Sequence, residues 1–337
     1  MSGRSYGQRL HATALSSAVV HVAVTGAAGY LGGTLVRRLL SAGDSVAALT
    51  RRPLRYGPLP GLETVQGDVR DPRVLDALVR DADAVAHLAA YVHRRTASST
   101  EVRDCFAVNL GGTRALVEAI ERAGRRPRLV FVSTISVYGA AFDGATEDAA
   151  CAPATPYGAS KLAGEELVRE ARARGTAHGL VLRPAVVFGP GAPGNLDRLQ
   201  RLLELGIWPE IAGGRNRKSL VYVDDLVEVL ALTLARRAPQ PVYNVAADPP
   251  LTMRAIAESL ARKRRVRRVS IPGPVAAATA RALTLAGRMG ARPLAGLART
   301  LETFCTTTTV DSGRLRRDFQ VHFRASEPAL EGLGTGR

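Results

Sequence analysis

A glycine-rich turn between a strand and a helix constrains the fold of this chain more than any other feature. Residues 19–24 are apolar except for His21 and predict a buried strand, which runs into T-G-A-A-G-Y-L-G at positions 25–32 and then into a helix over residues 31–40. Glycines at such a turn permit a tight bend and close approach of the backbone to a pyrophosphate, and the helix amino terminus offers free N–H groups. The segment therefore predicts a dinucleotide site.

Strand-like and helix-like segments then alternate along the chain. This alternation is typical of an α/β fold in which helices cover both faces of a parallel sheet. We therefore predict a Rossmann-type doubly wound parallel sheet with a smaller, interleaved C-terminal substrate lobe. Further strands are predicted near residues 45–49, 64–66, 84–88, 129–133, 180–183, 219–223 and 242–245, with helices near 72–80, 112–123, 157–173 and 226–235.

Proline and glycine become frequent after residue 183, which predicts a lobe boundary. The strand and helix signals over 219–247 predict that the chain then returns to the first lobe before it leaves again. The predicted organisation is a flexible N-terminal extension (1–17), a dinucleotide-binding lobe (18–183 with 219–247), a substrate lobe (184–218 and 248–325) and a flexible tail (326–337).

Charge and cysteine content bear on partners and compartment. The formal net charge is +16, but the densest basic run, residues 262–268, has no aromatic neighbours for base stacking, so we expect a solvated face rather than a nucleic-acid site. No apolar run approaches the roughly 20 residues that a membrane helix needs. The three cysteines lack metal-ligand spacing and fit a reducing compartment. We expect a cytoplasmic protein without metal, nucleic acid or membrane partners.

The end of the second predicted strand bears on the choice between NAD and NADP. An acidic residue there would hydrogen-bond the ribose 2′-hydroxyl of NAD, whereas an arginine accommodates the 2′-phosphate of NADP. Here the strand ends in Leu49-Thr50-Arg51-Arg52, without an acid. Arg51 and Arg52 therefore favour NADP over NAD, and two solvated arginines are the alternative.

Tyr157 and Lys161 form a candidate catalytic pair. They are four residues apart in a predicted helix and so lie on one face of it. A lysine ammonium beside a phenol favours the phenolate and lowers its pKa from about 10. We therefore predict that Tyr157 exchanges a proton with a substrate hydroxyl or carbonyl.

Further motifs follow the glycine turn in a fixed order. They are Gly67-Asp68-Val69, His87-Leu88-Ala89-Ala90, Asn109 in N-L-G-G-T, Ser133-Thr134 before V-Y-G, and Tyr157-Gly158-Ala159-Ser160-Lys161. The set closely resembles the extended short-chain dehydrogenases/reductases, the NAD-dependent epimerase/dehydratase family, over nearly the whole chain.

The resemblance implies roles for residues of the first lobe. Asp68 and Val69 would contact the adenine, and residues 88–90 would pass beside the ribose. Asn109 would support the central sheet and active-site water. The predicted cofactor site comprises Gly26, Gly29, Tyr30, Leu31, Gly32, Arg51, Arg52, Asp68, Val69, Leu88, Ala89, Ala90, Asn109, Tyr157, Lys161, Pro184 and Val186.

Thr134 matches the catalytic Ser/Thr of the family and joins Tyr157 and Lys161 in the predicted catalytic group. In the 4,6-dehydratases of the family an Asp-Glu pair follows this threonine, whereas Ile135-Ser136 follows it here. The resemblance therefore implies hydride transfer without dehydration.

Two stretches of the second lobe, 191–195 and 213–225, resemble nucleotide-sugar 4-epimerases and 4-ketoreductases. Asn195, Arg217 and Lys218 would hold the diphosphate, with Thr134 and Tyr157 at the sugar. The implied substrate is a UDP-hexose or UDP-N-acetylhexosamine that reacts at C4, and a homodimer is the family's habit.

Two alternatives stay open. One is an NADPH-dependent reductase of an apolar, steroid-like or flavonoid-like ketone, against which the cationic lobe argues. The other is a non-catalytic cofactor-sensing regulator, against which the Tyr157 and Lys161 pair argues.

Overall fold

The structure, a computed structural model, describes residues 20–54, 57, 59–92, 99–261, 264–288, 301 and 303–333. The extension predicted over residues 1–17 lies outside these ranges. Within them, no helix combines the length and the apolar character needed to cross a membrane.

The secondary structure alternates as predicted through the first half of the chain. The strands are β1 (His21–Thr25), β2 (Ser45–Thr50), β3 (Leu62–Gln66), β4 (Ala84–His87), β5 (Arg128–Val132), β6 (Phe142–Ala145), β7 (His178–Pro184), β8 (Val186–Phe188), β9 (Ile207–Ile211), β10 (Arg217–Lys218), β11 (Leu220–Tyr222), β12 (Val242–Val245), β13 (Leu251–Thr252), β14 (Arg267–Ile271) and β15 (Thr308–Val310).

The helices connect these strands and cover the sheet. They are α1 (Tyr30–Ser41), α2 (Pro72–Val79), α3 (Ser99–Phe106), α4 (Gly112–Ala123), α5 (Pro156–Ala173), α6 (Asn195–Glu204), α7 (Val223–Ala235), α8 (Met253–Ala261), α9 (Gly273–Arg288), α10 (Gly313–Phe319) and α11 (Ser326–Leu333). A π-helical turn, Ala107–Gly111, joins α3 to α4, and a 3₁₀ turn, Ile135–Tyr138, follows β5.

The central sheet has seven strands in the order β12-β7-β5-β4-β1-β2-β3. Every neighbouring pair in it is parallel. The strand order changes direction between β1 and β4, and in such sheets ligands bind outside the carboxyl ends of the strands at this point. The predicted Rossmann-type fold class is confirmed.

Helices pack on both faces of the sheet. Apolar residues of α1, α7 and α10 form one buried cluster with the sheet, and residues of α2, α4 and α5 form a second cluster on the other face. Because both faces are covered, the inner strands are largely apolar, and β4 is buried at every position. This rigid double layer fixes the ends of β1, β4 and β5 relative to one another.

The later part of the chain forms three small sheets. One has the order β13-β10-β15-β6, and the others pair β11 with β8 and β14 with β9. A third core cluster lies here around Trp208 and Ile256. Within the segment predicted to return to the first lobe, β12 joins the central sheet beside β7, and α7 packs on α1.

The end of the chain differs from the predicted flexible tail. Residues Ser326–Leu333 form α11, which packs on α8. Leu330 is fully buried in the third core cluster, with Ala329 and Leu333 beside it. The small and polar composition of this segment suggested fraying, but the apolar spacing of these residues is enough to hold one short helix against a tertiary partner.

Candidate active site

The glycine turn after β1 has no room for side chains at two positions. Gly26 has a φ of +73°, and a Cβ there would lie 2.7 Å from the Ala89 backbone nitrogen. A Cβ at Gly32 would lie 2.2 Å from the Gly26 carbonyl oxygen. Gly29 precedes the first residue of α1 and makes no side-chain cap. The turn thus leaves bare backbone and the amino end of a helix at the carboxyl edge of the sheet.

His87 holds the glycine turn in place from the core. It is fully buried, and its Nδ1 lies 2.7 Å from the Thr25 hydroxyl while its Nε2 lies 2.9 Å from the Thr113 hydroxyl. Burial lowers the pKa of His87 to about 3, so the ring is neutral. Thr25 also accepts a hydrogen bond from the Ala89 N–H at 3.1 Å. His87 is therefore a structural residue that fixes the predicted Leu88-Ala89-Ala90 segment beside Gly26.

Asp68 and Val69, the two residues predicted to contact the adenine, differ in exposure. Asp68 is partly exposed, and Arg70 donates two hydrogen bonds to its carboxylate, at 2.8 and 2.9 Å. These bonds hold the pKa of Asp68 below its usual value. The Val69 side chain is instead buried in the core, where one of its methyl groups would be 2.8 Å from a Cβ at Gly112. Arg51 is exposed just beyond β2 and adds to the lowering of the Asp68 pKa.

Asn109 ties together three segments around the site. Its Oδ1 accepts from the Tyr91 N–H at 2.6 Å, and its Nδ2 donates to the Tyr91 carbonyl at 3.1 Å and to the Ser160 hydroxyl at 2.9 Å. It lies in the π-helical turn, a geometry that is frequent at functional sites. Because Ser160 precedes Lys161, Asn109 positions the helix that carries the candidate catalytic pair.

Tyr157 and Lys161 lie in the first part of α5, whose N-cap Thr155 accepts from the Gly158 N–H at 3.1 Å. The helix start packs against the turn after β5, since a Cβ at Gly158 would lie 2.7 Å from the Ser136 carbonyl oxygen. Thr134 caps that turn and accepts from the Ser136 N–H. The turn that Thr134 caps therefore packs against the helix start that carries Tyr157.

Lys161 is buried without a hydrogen-bond partner among the described residues. Its Nζ lies 4.2 Å from the centre of the Phe131 ring. Burial lowers the pKa of Lys161 to about 7, and the charge of Glu165 partly opposes the change. The site thus contains a buried donor for which the described residues provide no acceptor.

The prediction that Lys161 lowers the pKa of Tyr157 is wrong. Burial raises the pKa of Tyr157 to about 12, and nearby Cys105 adds to the rise. Because both groups are removed from water, burial favours the neutral form of each one. At neutral pH, Tyr157 is a phenol rather than a phenolate.

Tyr30 and Leu31 open α1, and both pack against the first core cluster. The hydroxyl of Tyr30 is buried without a hydrogen-bond partner in the described part of the chain. Burial raises the pKa of this hydroxyl to about 12. A Cβ at Gly189 would lie 2.7 Å from it, so Tyr30 faces the segment after β8.

Of the residues predicted to hold the diphosphate, Arg217 and Lys218 do not share one face. Arg217 and Lys218 are adjacent in β10, so their side chains point to opposite faces of the strand. Arg217 is exposed and binds Asp143 at 2.6 Å. Lys218 is buried and donates to the Thr308 hydroxyl at 3.2 Å. Asn195 begins α6.

Burial lowers the pKa of Lys218 to about 8. The other two predicted positions near the lobe boundary are Pro184, which ends β7, and Val186, which begins β8. Both therefore lie where the chain leaves the central sheet at its carboxyl edge.

Comparison with known proteins decides the family. Residues 22–246 match the model of the NAD dependent epimerase/dehydratase family, a span from the second residue of β1 to just beyond β12. The chain belongs to this family. It is an NAD-dependent enzyme, and the resemblance read from its motifs is confirmed.

Relatives of this family member include 4-epimerases. The chain is 28% identical over 301 residues to N-acetyl-alpha-D-glucosaminyl-diphospho-ditrans,octacis-undecaprenol 4-epimerase of Escherichia coli O157:H7, covering 88% of each protein. It is 35% identical over 211 residues to UDP-glucose 4-epimerase of Streptomyces lividans, covering 60% of this chain and 63% of the relative. The solved structure of MoeE5 in complex with UDP-glucuronic acid and NAD matches with a TM-score of 0.71 at 28% identity, over 92% of this chain and 96% of that one.

A buried charge network in this epimerase/dehydratase member was not predicted. Arg183 donates to both carboxylate oxygens of Glu165, at 2.6 to 3.1 Å, and to the Tyr138 hydroxyl at 2.9 Å. Ser133 also donates to Glu165. Glu165 follows Lys161 by one helical turn, and Arg183 interrupts an apolar strand. Those two sequence signals together could have indicated the pair.

Proposed function

We propose that this enzyme transfers a hydride at C4 of a nucleotide sugar, as a 4-ketoreductase or a 4-epimerase. The observation that carries the proposal is the unpaired, buried ammonium of Lys161, one helical turn from Tyr157. A buried donor without an acceptor costs free energy, so such groups normally have a partner. A ligand hydroxyl beside Tyr157 would provide the acceptor that the described residues do not.

The residues present fit a dinucleotide. Gly26, Gly29 and Gly32 leave bare backbone at a helix amino terminus, where a pyrophosphate binds favourably. Lys161 would donate to hydroxyl groups of the cofactor. NAD(P), when bound, supplies the hydride acceptor or donor.

Tyr157 would handle the proton that accompanies the hydride. With a pKa raised to about 12, its hydroxyl is protonated at neutral pH and is ready to donate to a carbonyl oxygen. Thr134 would hydrogen-bond the same oxygen and fix its position.

We also propose a preference for NADP. Arg51 and Arg52 are exposed directly after β2, the position at which the ribose is recognised in this fold. Neither is followed or preceded by an acid that would favour the free 2′-hydroxyl. The solved MoeE5 structure contains NAD. The support for a preference for NADP therefore comes from Arg51 and Arg52 of this chain alone.

The substrate class proposed is a sugar carried on a diphosphate. The S. lividans relative is named for UDP-glucose, and the second lobe offers Arg217 and Lys218 as cations and Asn195 at the start of α6. A second candidate is a sugar on a polyprenyl diphosphate, because the E. coli relative is named for one and matches over 88% of both chains. Both candidates share the diphosphate.

The test is a substrate panel assayed with full-length enzyme. UDP-hexoses and UDP-N-acetylhexosamines are incubated with NAD and followed by NMR for the C4 epimer, and UDP-4-keto sugars are incubated with NADPH and followed at the nicotinamide absorbance. A polyprenyl-diphosphate N-acetylhexosamine in detergent is the third arm. Turnover in one arm, lost in Tyr157→Phe, is the expected result. No turnover in any arm, with cofactor binding intact, would overturn the proposal.

A further inference from the structure

Helix α9 exposes an apolar stripe where a surface helix normally carries polar residues. Ala276 and Ala280 are buried and mark its inner face. The opposite face follows the helical spacing i, i+3, i+7, i+10. This α9 stripe consists of Val275, Ala278, Ala282 and Leu285, all exposed. Val275 is 53% and Leu285 57% exposed, so the helix is apolar on both faces.

The two-stranded ribbon of β9 and β14 exposes a second apolar surface. Strand β14 directly precedes α9 in the chain. Trp208 is buried, and alternate residues of a strand point to opposite sides, so Ile207 faces outward. Val269 is likewise exposed, and Arg267 pairs in register with Ile207. We call Ile207, Arg267 and Val269 the ribbon face. Leu205, just before it, is also exposed.

The same part of the chain is strongly basic. Residues 262–300 contain ten Lys and Arg residues and no Asp or Glu, in a chain whose net charge is +16. Arg265, Arg267 and Arg281 are exposed, and none of them pairs with a carboxylate of the described residues. Arg264 and Arg268 pair with Glu204 and Glu258, so Arg265, Arg267 and Arg281 are the described cations of this stretch that remain for an anionic partner.

We propose that the α9 stripe and the ribbon face dock this enzyme on an anionic lipid bilayer. Apolar side chains of a peripheral protein enter the boundary between headgroups and acyl chains, while arginines attract anionic lipids. Attachment of this kind needs no spanning helix. The inference revises the expectation of a solvated basic face without membrane contact.

Charge and composition argue against a second copy of the chain and against a nucleic acid as the partner of this surface. A second copy of the chain meeting this surface through a two-fold interface would place the exposed cations Arg265, Arg267 and Arg281 against their own copies. A nucleic acid would meet no Phe, Tyr or Trp in residues 262–300 on which to stack a base. Phosphate contacts alone would also leave the α9 stripe in water.

Co-sedimentation of the full-length protein with vesicles tests the proposal. Vesicles of phosphatidylcholine with phosphatidylglycerol are expected to bind the protein, and those of phosphatidylcholine alone to bind it far less, with the difference shrinking at high salt. The variant Val275→Glu/Leu285→Glu is expected to bind at least roughly tenfold more weakly, because two apolar side chains no longer leave water. Arg265→Gln/Arg267→Gln should also weaken binding to the anionic vesicles.

The matched control is Leu59→Glu/Gln240→Glu, which adds the same two negative charges at exposed positions outside the proposed surface. This control should bind like the wild type, and unchanged thermal unfolding midpoints show that all variants fold. Equal binding by Val275→Glu/Leu285→Glu and wild type would overturn the proposal. So would binding of single-stranded RNA that competes fully with vesicles and is insensitive to Val275→Glu/Leu285→Glu. No substrate is needed, so failure here leaves the proposed function untouched.

Discussion

The carboxyl edge of the central sheet and the second lobe hold their charged groups in different ways. At the edge, the Glu165 side chain is 2% exposed and is bonded by Arg183 through both carboxylate oxygens. In the second lobe, Arg217 binds Asp143 of the first lobe, whose side chain is 55% exposed. Exposed pairs contribute little and exchange readily for other partners, whereas breaking a buried pair is costly. The edge therefore keeps one geometry, whereas Arg217 can exchange its partner.

The largest expected effect is on turnover, at the carboxyl edge of the central sheet. Tyr157→Phe should lower turnover by roughly 10³-fold, because the hydroxyl that transfers the proton is lost. Cofactor affinity should change little, since the ring still packs. Steady-state kinetics and cofactor titration separate the two quantities. Lys161→Met is the companion variant, in which both turnover and cofactor affinity should fall. Retention of most activity by Tyr157→Phe would assign the proton to another group.

The next largest effect is expected on stability, through the buried pair of Glu165 and Arg183. Glu165→Gln should lower the free energy of unfolding by about 3–5 kcal/mol, since the Arg183 guanidinium loses its buried counter-charge. The adjacent Glu166 forms an exposed pair with Arg169 at 3.1 Å, so Glu166→Gln is the matched control. Its effect should stay below about 1 kcal/mol. Urea unfolding measures both variants, and equal losses would remove the contrast between buried and exposed pairs.

Cofactor choice should give the smallest effect. Replacing Arg51 and Arg52 with Ser should weaken NADPH binding by about tenfold and leave NADH binding nearly unchanged, because only the 2′-phosphate contacts are lost. Both side chains are exposed, which limits the size of the change. Fluorescence titration with each cofactor gives the ratio. An unchanged ratio of NADPH to NADH affinity would show that the two arginines are solvated and do not contact the cofactor ribose.

Local spacing explains what the sequence could predict. The glycine turn after β1 and the four-residue step from Tyr157 to Lys161 each specify a local geometry, and the parallel sheet brings them to one edge. Burial of Lys218 and the helix around Leu330 depend on packing between segments distant in sequence. The rise in the Tyr157 pKa has the same origin, because burial is a property of the whole fold.

The central claim is that both regions serve one ligand, a diphosphate-linked sugar that reaches from the second lobe to Tyr157. Calorimetry with UDP and cofactor at low salt tests it most directly. We predict measurable UDP binding that weakens by about tenfold in Arg217→Gln/Lys218→Met, with cofactor affinity unchanged, because the two side chains face opposite sides of β10 and one diphosphate meets only one of them. The pKa of Lys218 is lowered to about 8, so its cationic form and UDP affinity should decline as pH rises above that value. The absence of UDP binding by the wild type, or binding that the double substitution leaves unaltered, would contradict the account.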